Sequence, residues 1–289
     1  MHSFDFQPYI QKFNDLLFLR DLTANTVRSY NSMLRCYLSW VDESLHIKPE
    51  LVTFDSVRSY ILFLKKVKGV SNRTINAHIS QLRFLYLYVL HMPLDKYEVP
   101  FMKFYTKLPD IFSPEEVNYF IDMMPNLKHK ACIALLYSAG IRVSELCHLR
   151  YKDISRANMR IYISPSKSRS DRYAILSKKT LDILTQYWRA FDKPSDWLFP
   201  GMKPNSPIVS GTVSSFIADH AASIGWDKPV TPHIFRHCFG SHLYDQGYDL
   251  LTIQKLLGHK CASSSLIYVQ LSSKSMSKLV SPFDFGGTL

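Results

Sequence analysis

The stretch from Tyr97 to Pro114, YEVPFMKFYTKLPDIFSP, interrupts a chain whose flanking segments are periodic. It contains three prolines and no sustained helical or strand period, which is typical of a connection between domains. The length of 289 residues also exceeds the usual ~100 to 150 residues of one domain. The sequence therefore predicts two domains, residues 1–107 and 108–289, with the boundary near Leu108.

The segment before this break has the pattern of helices only. Three stretches, TANTVRSYNSMLRCYLSWV, TFDSVRSYILFLKKV and SNRTINAHISQLRFLYLYVL, each begin with a Ser or Thr cap candidate and continue with apolar residues at helical spacing. They predict a small all-helical domain. Basic residues are interleaved with the apolar ones, which fits either solvated helix faces or a DNA-facing surface: Arg28, Lys65, Lys66, Arg73 and Arg83.

The second domain is expected to begin with a capped helix at 113–124. In SPEEVNYFIDMM, serine is the N-cap, proline the first helical residue and glutamate the third residue after the cap. The next predicted helix, KACIALLYS, ends at Gly140, a left-handed C-cap, and another covers 144–149. This arrangement places Arg142 in the turn between two helices.

A hairpin is predicted next, followed by helices to the end. MRIYIS and RYAIL alternate as strands around the polar turn PSKSRSD, so Lys167 lies at the hairpin tip or beside it. Thr231 is predicted to cap a helix that reaches about Gln246, LLTIQKLL ends at Gly258, and a last helix carries Tyr268. The predicted fold class is mainly α with a small antiparallel β-sheet, the second domain being α+β.

His233 and Arg236 stand three residues apart in the first turns of the predicted helix at 231–246. That spacing places both side chains on one helix face, while Phe235, Phe239 and Leu243 point largely to another. Free backbone N–H groups and the positive end of the helix dipole lie beside the polar pair. This pattern is typical of a phosphate-binding position.

Charge supports a polyanionic partner. Lys and Arg outnumber Asp and Glu by 35 to 24, a net charge of +11, and the first 110 residues contribute 14 basic and 10 acidic residues, so both halves are basic. A basic but simply solvated surface is the alternative.

The five cysteines have no CxxC spacing, which predicts neither a zinc site nor a disulfide framework. With no signal-peptide pattern or membrane-length apolar run, a cytoplasmic protein without a membrane partner is expected.

Several motifs together resemble the tyrosine recombinase, or phage integrase, family. They are AGIRVSEL, a lysine in a strand-turn-strand segment, HIFRH, LLGH, and a tyrosine nine residues after that last histidine. TANTVRSY and RTINAHISQLR are similar to the helical, SAM-like core-binding domain of the family, so the resemblance covers nearly the whole chain. Since no separate arm-binding domain is seen before residue 9, the chain is similar to the compact Xer-like or transposon-associated branch.

The chemistry expected of such a site explains why two arginines are present. A phosphodiester anion repels nucleophiles and gains charge as it becomes pentacoordinate, so Arg142 and Arg236 would hold its non-bridging oxygens with forked hydrogen bonds. The resemblance implies Tyr268 as nucleophile, His233 as base and Lys167 as acid, and a hydrogen bond from His259 to the phosphate. It implies no metal and no cofactor.

Three further residues matter less to this prediction. Glu145 matches a family position and would orient Arg142 by contacting it on the side away from the phosphate. An ordinary exposed helix glutamate is an equal alternative. His237 is interpreted as structural rather than catalytic. Gly240 stands where the family often has alanine, a difference expected only to lower helix propensity a little.

The resemblance implies double-stranded DNA as partner and integration, excision or resolution of DNA as function. It further implies a homo-tetramer on two DNA sites, with the tail after Tyr268 docking on a neighbouring subunit or else untethered, and an accessory DNA-bending or partner recombinase protein. Two other functions stay open at this point. A type IB topoisomerase shares the chemistry but relaxes one duplex, and a DNA-binding regulator would have a silent site.

Overall fold

The computed structural model describes residues 4–105, 108–164, 171–191, 196–258 and 265–271. Contacts divide the chain into two compact units, Met1–Thr106 and Lys107–Leu289. Each unit has its own apolar core. Among the helices that these ranges contain, none combines the length and the apolar character needed to cross a lipid bilayer.

The first unit is built from four helices. They are α1 (Gln7–Leu19), α2 (Ala24–Ser44), α3 (Phe54–Lys66) and α4 (Asn72–Phe84), and α4 continues into a π-helical turn at Leu85–Val89. The predicted caps are confirmed, because Thr23, Thr53 and Ser71 each accept a hydrogen bond from the backbone N–H three residues on. The fully buried side chains of Phe13, Tyr37, Tyr60 and Tyr86 lie in the core of this unit.

The first part of the proline-containing stretch lies along α4 without regular secondary structure. Asn76 binds both backbone groups of Met102, at 2.7 and 2.9 Å, and Arg83 donates to the carbonyl of Val99 at 2.9 Å. The Arg83 guanidinium also lies 4.2 Å from the ring centre of Phe101, at cation–π distance. Side chains of α4 therefore supply the hydrogen bonds that a neighbouring strand would otherwise provide.

The second unit is mainly helical, with one small sheet. Its elements are α5 (Pro114–Asp122), α6 (Leu127–Ser138), α7 (Val143–Cys147), β1 (Ile154–Ser155), β2 (Arg160–Ile163), β3 (Arg172–Ile175), α8 (Lys178–Ala190), α9 (Ser210–Ser223), α10 (Pro232–Asp245), α11 (Leu250–Leu257) and α12 (Leu266–Leu271). The described strands form an antiparallel sheet in the order β1-β2-β3, with Ile161 opposite Ala174. Helix α6 is buried along Ala131–Leu136 and packs against α8 and α10, which makes it the central element of the unit.

Most of the predicted element ends are confirmed. Ser113 and Glu116 form the capping box of α5, Gly140 follows the end of α6 with φ 58°, and Gly258 ends α11 with φ 63°. The prediction for Thr231 is wrong in one respect, because this residue precedes α10 but its side chain makes no capping hydrogen bond. Helix α7 begins and ends earlier than predicted, and β1, α8 and α9 were not predicted individually.

Candidate active site

Three arginines meet at the C-terminal end of α11. The carbonyl of Leu256 accepts from Arg172 Nε at 3.0 Å, that of Leu257 from an Arg236 Nη at 2.7 Å, and that of Gly258 from an Arg142 Nη at 3.2 Å. The last carbonyls of a helix lack intrahelical partners and carry the negative end of the helix dipole. They therefore offset part of the repulsion between three like charges, which come from the residue before α7, from β3 and from α10.

The turn at Gly140 places Arg142 beside this helix end. A Cβ on Gly140 would come within 2.3 Å of the Phe239 ring and 2.8 Å of Leu257, and its φ of 58° is one that side chains rarely adopt. Glycine therefore lets the α6–α7 turn pass close to α10 and α11. Arg142 follows two residues later, and its guanidinium donates to Glu145 at 2.8 Å.

Glu145 is a buried carboxylate shared by two arginines. It accepts from the backbone N–H and the guanidinium of Arg142, each at 2.8 Å, and in a forked pair from Arg172 at 2.9 and 2.8 Å. Burial alone would raise the pKa of Glu145, but these hydrogen bonds and the two positive charges lower it to about 2. The expected contact between Glu145 and Arg142 is present, and the alternative of an exposed helix glutamate is wrong.

Arg236 is 4% exposed. Its guanidinium donates to the carbonyls of Gly140 and Leu257, and no carboxylate of the described residues lies at ion-pair distance from it. Burial and the charge of Arg142 lower the pKa of Arg236 to about 10. A buried charge is costly unless it is compensated, so this guanidinium fits a site that an anion completes.

Two histidines lie on α10 near this cluster. Neighbouring groups remove part of the water around the His233 imidazole, and this desolvation, with the charges of Arg236 and Arg142, lowers its pKa although the residue still reaches the surface. The His237 ring lies 6.4 Å from that of His233 and 6.2 Å from that of Tyr268, and burial lowers its pKa to about 4. Both imidazoles are therefore neutral at neutral pH, and Phe235 and Phe239 of the same helix are buried as expected.

Tyr268 projects from α12 onto α10 and is 1% exposed. Burial raises its pKa to about 12, although the positive charges of Arg236 and Arg142 act in the opposite direction. The phenol is thus within electrostatic reach of both arginines. The structure brings together Arg142, Glu145, His233, Arg236 and Tyr268, whereas Lys167 and His259 lie outside the described residues.

Gly240 is where the Tyr268 ring touches α10. A Cβ at this position would lie 2.5 Å from two carbon atoms of the ring, closer than atoms can pack. The expectation that glycine here only lowers helix propensity is therefore wrong, because the ring occupies the space that an alanine methyl group would fill.

Gly240→Ala should displace Tyr268 and α12. We expect the overpacking to destabilise the protein by about 1 to 3 kcal/mol and to accelerate amide hydrogen exchange at 265–271. The matched control is Gly211→Ala on α9, where nothing lies within 4 Å of the added carbon, so stability should stay the same or rise slightly. Equal behaviour of the two variants in thermal unfolding and hydrogen exchange would contradict the packing described.

Sequence reasoning missed Arg172. The signal was available, because this arginine shares the inward face of β3 with buried Ala174, and a basic residue on the buried side of a strand needs an acidic partner. The partner, Glu145, lies 27 residues away in the chain. Only the folded structure identifies that pairing.

Comparison with known proteins gives matches over both units. Residues 111–275 match the phage integrase family, and residues 9–96 match the phage integrase N-terminal SAM-like domain. This chain belongs to the phage integrase family. It is a tyrosine-type site-specific recombinase, as the resemblance implied.

Relatives cover almost the full length of the recombinase. It is 34% identical to an integrase/recombinase of Sinorhizobium fredii, over 96% of this chain and 89% of that protein. It is 31% identical to a tyrosine recombinase of Pseudothermotoga lettingae, over 91% and 93%. The fold is that of the Tn1549 transposon integrase, with a TM-score of 0.73, 17% identity and coverage of 90% and 94%.

Proposed function

We propose that this recombinase cuts and rejoins double-stranded DNA through a covalent bond to Tyr268. The phenol oxygen attacks the scissile phosphorus, a new O–P bond forms, and the bond from phosphorus to the 5′-oxygen breaks. The phenol proton passes to a base and the leaving oxygen takes up a proton. A 3′-phosphotyrosine and a free 5′-hydroxyl result, and since one ester replaces another, the reverse step rejoins a strand without an energy source.

The observation that carries this proposal is the buried guanidinium of Arg236, which lies beside Arg142 and the Tyr268 phenol and pairs with no carboxylate among the described residues. A scissile phosphate is an anion whose charge grows in the transition state. Guanidinium groups fixed in advance in a water-poor site stabilise that charge strongly. We therefore assign Arg142 and Arg236 to the non-bridging oxygens.

Proton transfer is assigned to the remaining residues. Tyr268 has a pKa of about 12 and stays protonated at neutral pH, so it needs a base. His233 is a suitable one because its lowered pKa keeps the imidazole neutral and able to accept a proton. We assign Lys167 as the acid for the 5′-oxygen and His259 as a hydrogen-bond donor to the phosphate, on the resemblance alone.

The partners follow the same reasoning. The Tn1549 integrase structure contains a circular intermediate DNA, and the lambda integrase structure is a dimer bound to a core site. We propose double-stranded DNA as the partner here, a tetramer on two sites as the active assembly, the tail after Tyr268 docked on a neighbouring subunit, and an accessory DNA-bending or partner recombinase protein. A mobile element is the proposed setting, and the cytoplasm the proposed location.

The test is to trap the adduct and locate it. The recombinase is incubated with a library of duplexes, drawn first from DNA flanking its gene, with a nick just beyond each possible cut. The short 5′-hydroxyl fragment diffuses away, which prevents rejoining. Trypsin then releases residues 261–274, in which Tyr268 is the only tyrosine, and mass spectrometry should find the nucleotide on that peptide.

Other outcomes identify other functions. An adduct on another peptide would reject Tyr268 as nucleophile. Binding to the same DNA without any adduct would favour a silent DNA-binding regulator. Relaxation of supercoiled DNA with no exchange between two sites would favour a topoisomerase.

A further inference from the structure

Arg172 has no role in the proposed chemistry, yet all three of its guanidinium nitrogens donate to neighbouring groups of the site. Its Nε donates to the carbonyl of Leu256 at 3.0 Å, and its two terminal nitrogens donate to both oxygens of Glu145 at 2.9 and 2.8 Å. The side chain is 11% exposed and that of Glu145 is 7% exposed. The forked pair is therefore buried, where a lost partner is costly.

Arg172 contacts two residues that hold Arg142, namely Glu145 and Gly258. Glu145 binds both the backbone N–H and the guanidinium of Arg142, and Gly258, whose carbonyl accepts from Arg142, packs directly on Arg172. A Cβ on Gly258 would come 2.9 Å from Arg172 Cδ and 3.2 Å from Cζ. Arg172 thus fixes α7 and the end of α11 in one arrangement.

Arg172 also shares the charge of Glu145. With Arg172 absent, the carboxylate would pair with Arg142 alone. That guanidinium would then be drawn toward Glu145 and its charge largely neutralised. With Arg172 present, one carboxylate is shared between two guanidinium groups. Its negative charge therefore neutralises Arg142 only in part, and Arg142 can still attract an anion.

We propose that Arg172 is a positioning residue for DNA cleavage, which acts by holding Glu145 and the end of α11 so that Arg142 meets one non-bridging oxygen of the scissile phosphate. This rests on the proposed function of Arg142. We assign Arg172 no direct contact with the scissile phosphate: three of its five N–H groups already donate to Leu256 and Glu145.

The first expected result compares the rate of DNA cleavage with the affinity for DNA. Arg172→Gln should slow single-turnover cleavage of a nicked duplex by about 100-fold, the cost of a misplacement of roughly 1 Å, while the Kd for DNA stays the same. Arg172→Lys should recover little of the rate, because an ammonium keeps the charge but cannot form the fork to Glu145. Full recovery by lysine would overturn the proposal.

The second result separates positioning from general damage. A methylphosphonate at the cut replaces one non-bridging oxygen by a neutral methyl group, which removes the need for the guanidinium that binds that oxygen. Arg142→Ala identifies which diastereomer relieves loss of Arg142. The defect of Arg172→Gln should be relieved by the same diastereomer, whereas the diastereomer that relieves Arg236→Ala should not help.

Controls make each outcome decisive. Arg160→Gln removes one exposed charge from the paired strand β2 and should show no preference for either diastereomer. If thermal unfolding shows that Arg172→Gln is not folded, Arg172→Lys and Glu145→Gln carry the same comparison. No adduct from the unaltered chain on the library would reject the proposed function, whereas an adduct with no matching diastereomer preference would reject the role of Arg172 alone.

Discussion

Tyr268→Phe should abolish the covalent adduct and leave both the fold and DNA binding intact. The variant loses the hydroxyl oxygen that would form the bond to phosphorus, so no slower version of the same step remains. The ring stays, and since it is 1% exposed and lies against Gly240, its packing onto α10 is retained. A denaturing protein gel after incubation with labelled nicked duplex measures the adduct, and a mobility shift measures binding.

Tyr137→Phe is the matched control for this change. Tyr137 packs against the cluster that contains Tyr268, and its hydroxyl forms a 2.9 Å hydrogen bond with His242. Removing that hydroxyl tests whether loss of any phenol oxygen in this cluster stops cleavage. An adduct should form normally with Tyr137→Phe. An adduct that persists in Tyr268→Phe would place the nucleophile elsewhere.

The depth of Tyr268 has a consequence for when cleavage occurs. At 1% exposure, the hydroxyl cannot reach the phosphate of a duplex while α12 keeps its described position. Helix α12 contains six residues, and Ile267, Tyr268 and Leu271 pack in the same apolar cluster as Phe239 of α10. We expect DNA binding to shift α12, so that the proposed nucleophile stays covered until a substrate is present.

Local features of this fold were predictable, because neighbouring residues determine them. The capping box at Ser113 and Glu116 and the left-handed ends at Gly140 and Gly258 depend on a few consecutive residues. The same holds for the alternation of β2 and β3. The side-chain hydrogen bonds of Asn76 to Met102, 26 residues apart, depend on tertiary packing and leave no local pattern.

The candidate site also has features that the sequence predicted and features that it did not. The residue types expected to face a phosphate follow from the chemistry, and their order along the chain suggested them. The sequence did not show how three guanidinium groups are held together. The carbonyls that hold them, those of Leu256, Leu257 and Gly258, belong to a helix end whose sequence resembles any other. The close approach of Tyr268 to Gly240 was missed for a similar reason, since a glycine in a helix gives no sign of which ring lies over it.

Arg236→Lys is the second change with a large expected effect. Cleavage at saturating DNA should fall by about 10²- to 10³-fold, the cost of removing one donor to a developing oxyanion, or roughly 3 to 4 kcal/mol. The ammonium keeps the charge, but it cannot bind the carbonyls of Gly140 and Leu257 and also present a fork to phosphate. Single-turnover cleavage of the nicked duplex measures the rate.

The control is Arg189→Lys, because Arg189 is exposed in the last turn of α8, and its rate should stay within about threefold of the unaltered chain. If Arg236→Lys cleaves at a near-normal rate, charge alone suffices and the two carbonyl contacts are dispensable. If it loses DNA binding in proportion to rate, Arg236 stabilises the bound phosphate and the transition state equally. A guanidinium fixed in advance for the transition state should give a large fall in rate at unchanged Kd. Its contacts with the phosphate then strengthen only as the phosphorus becomes pentacoordinate.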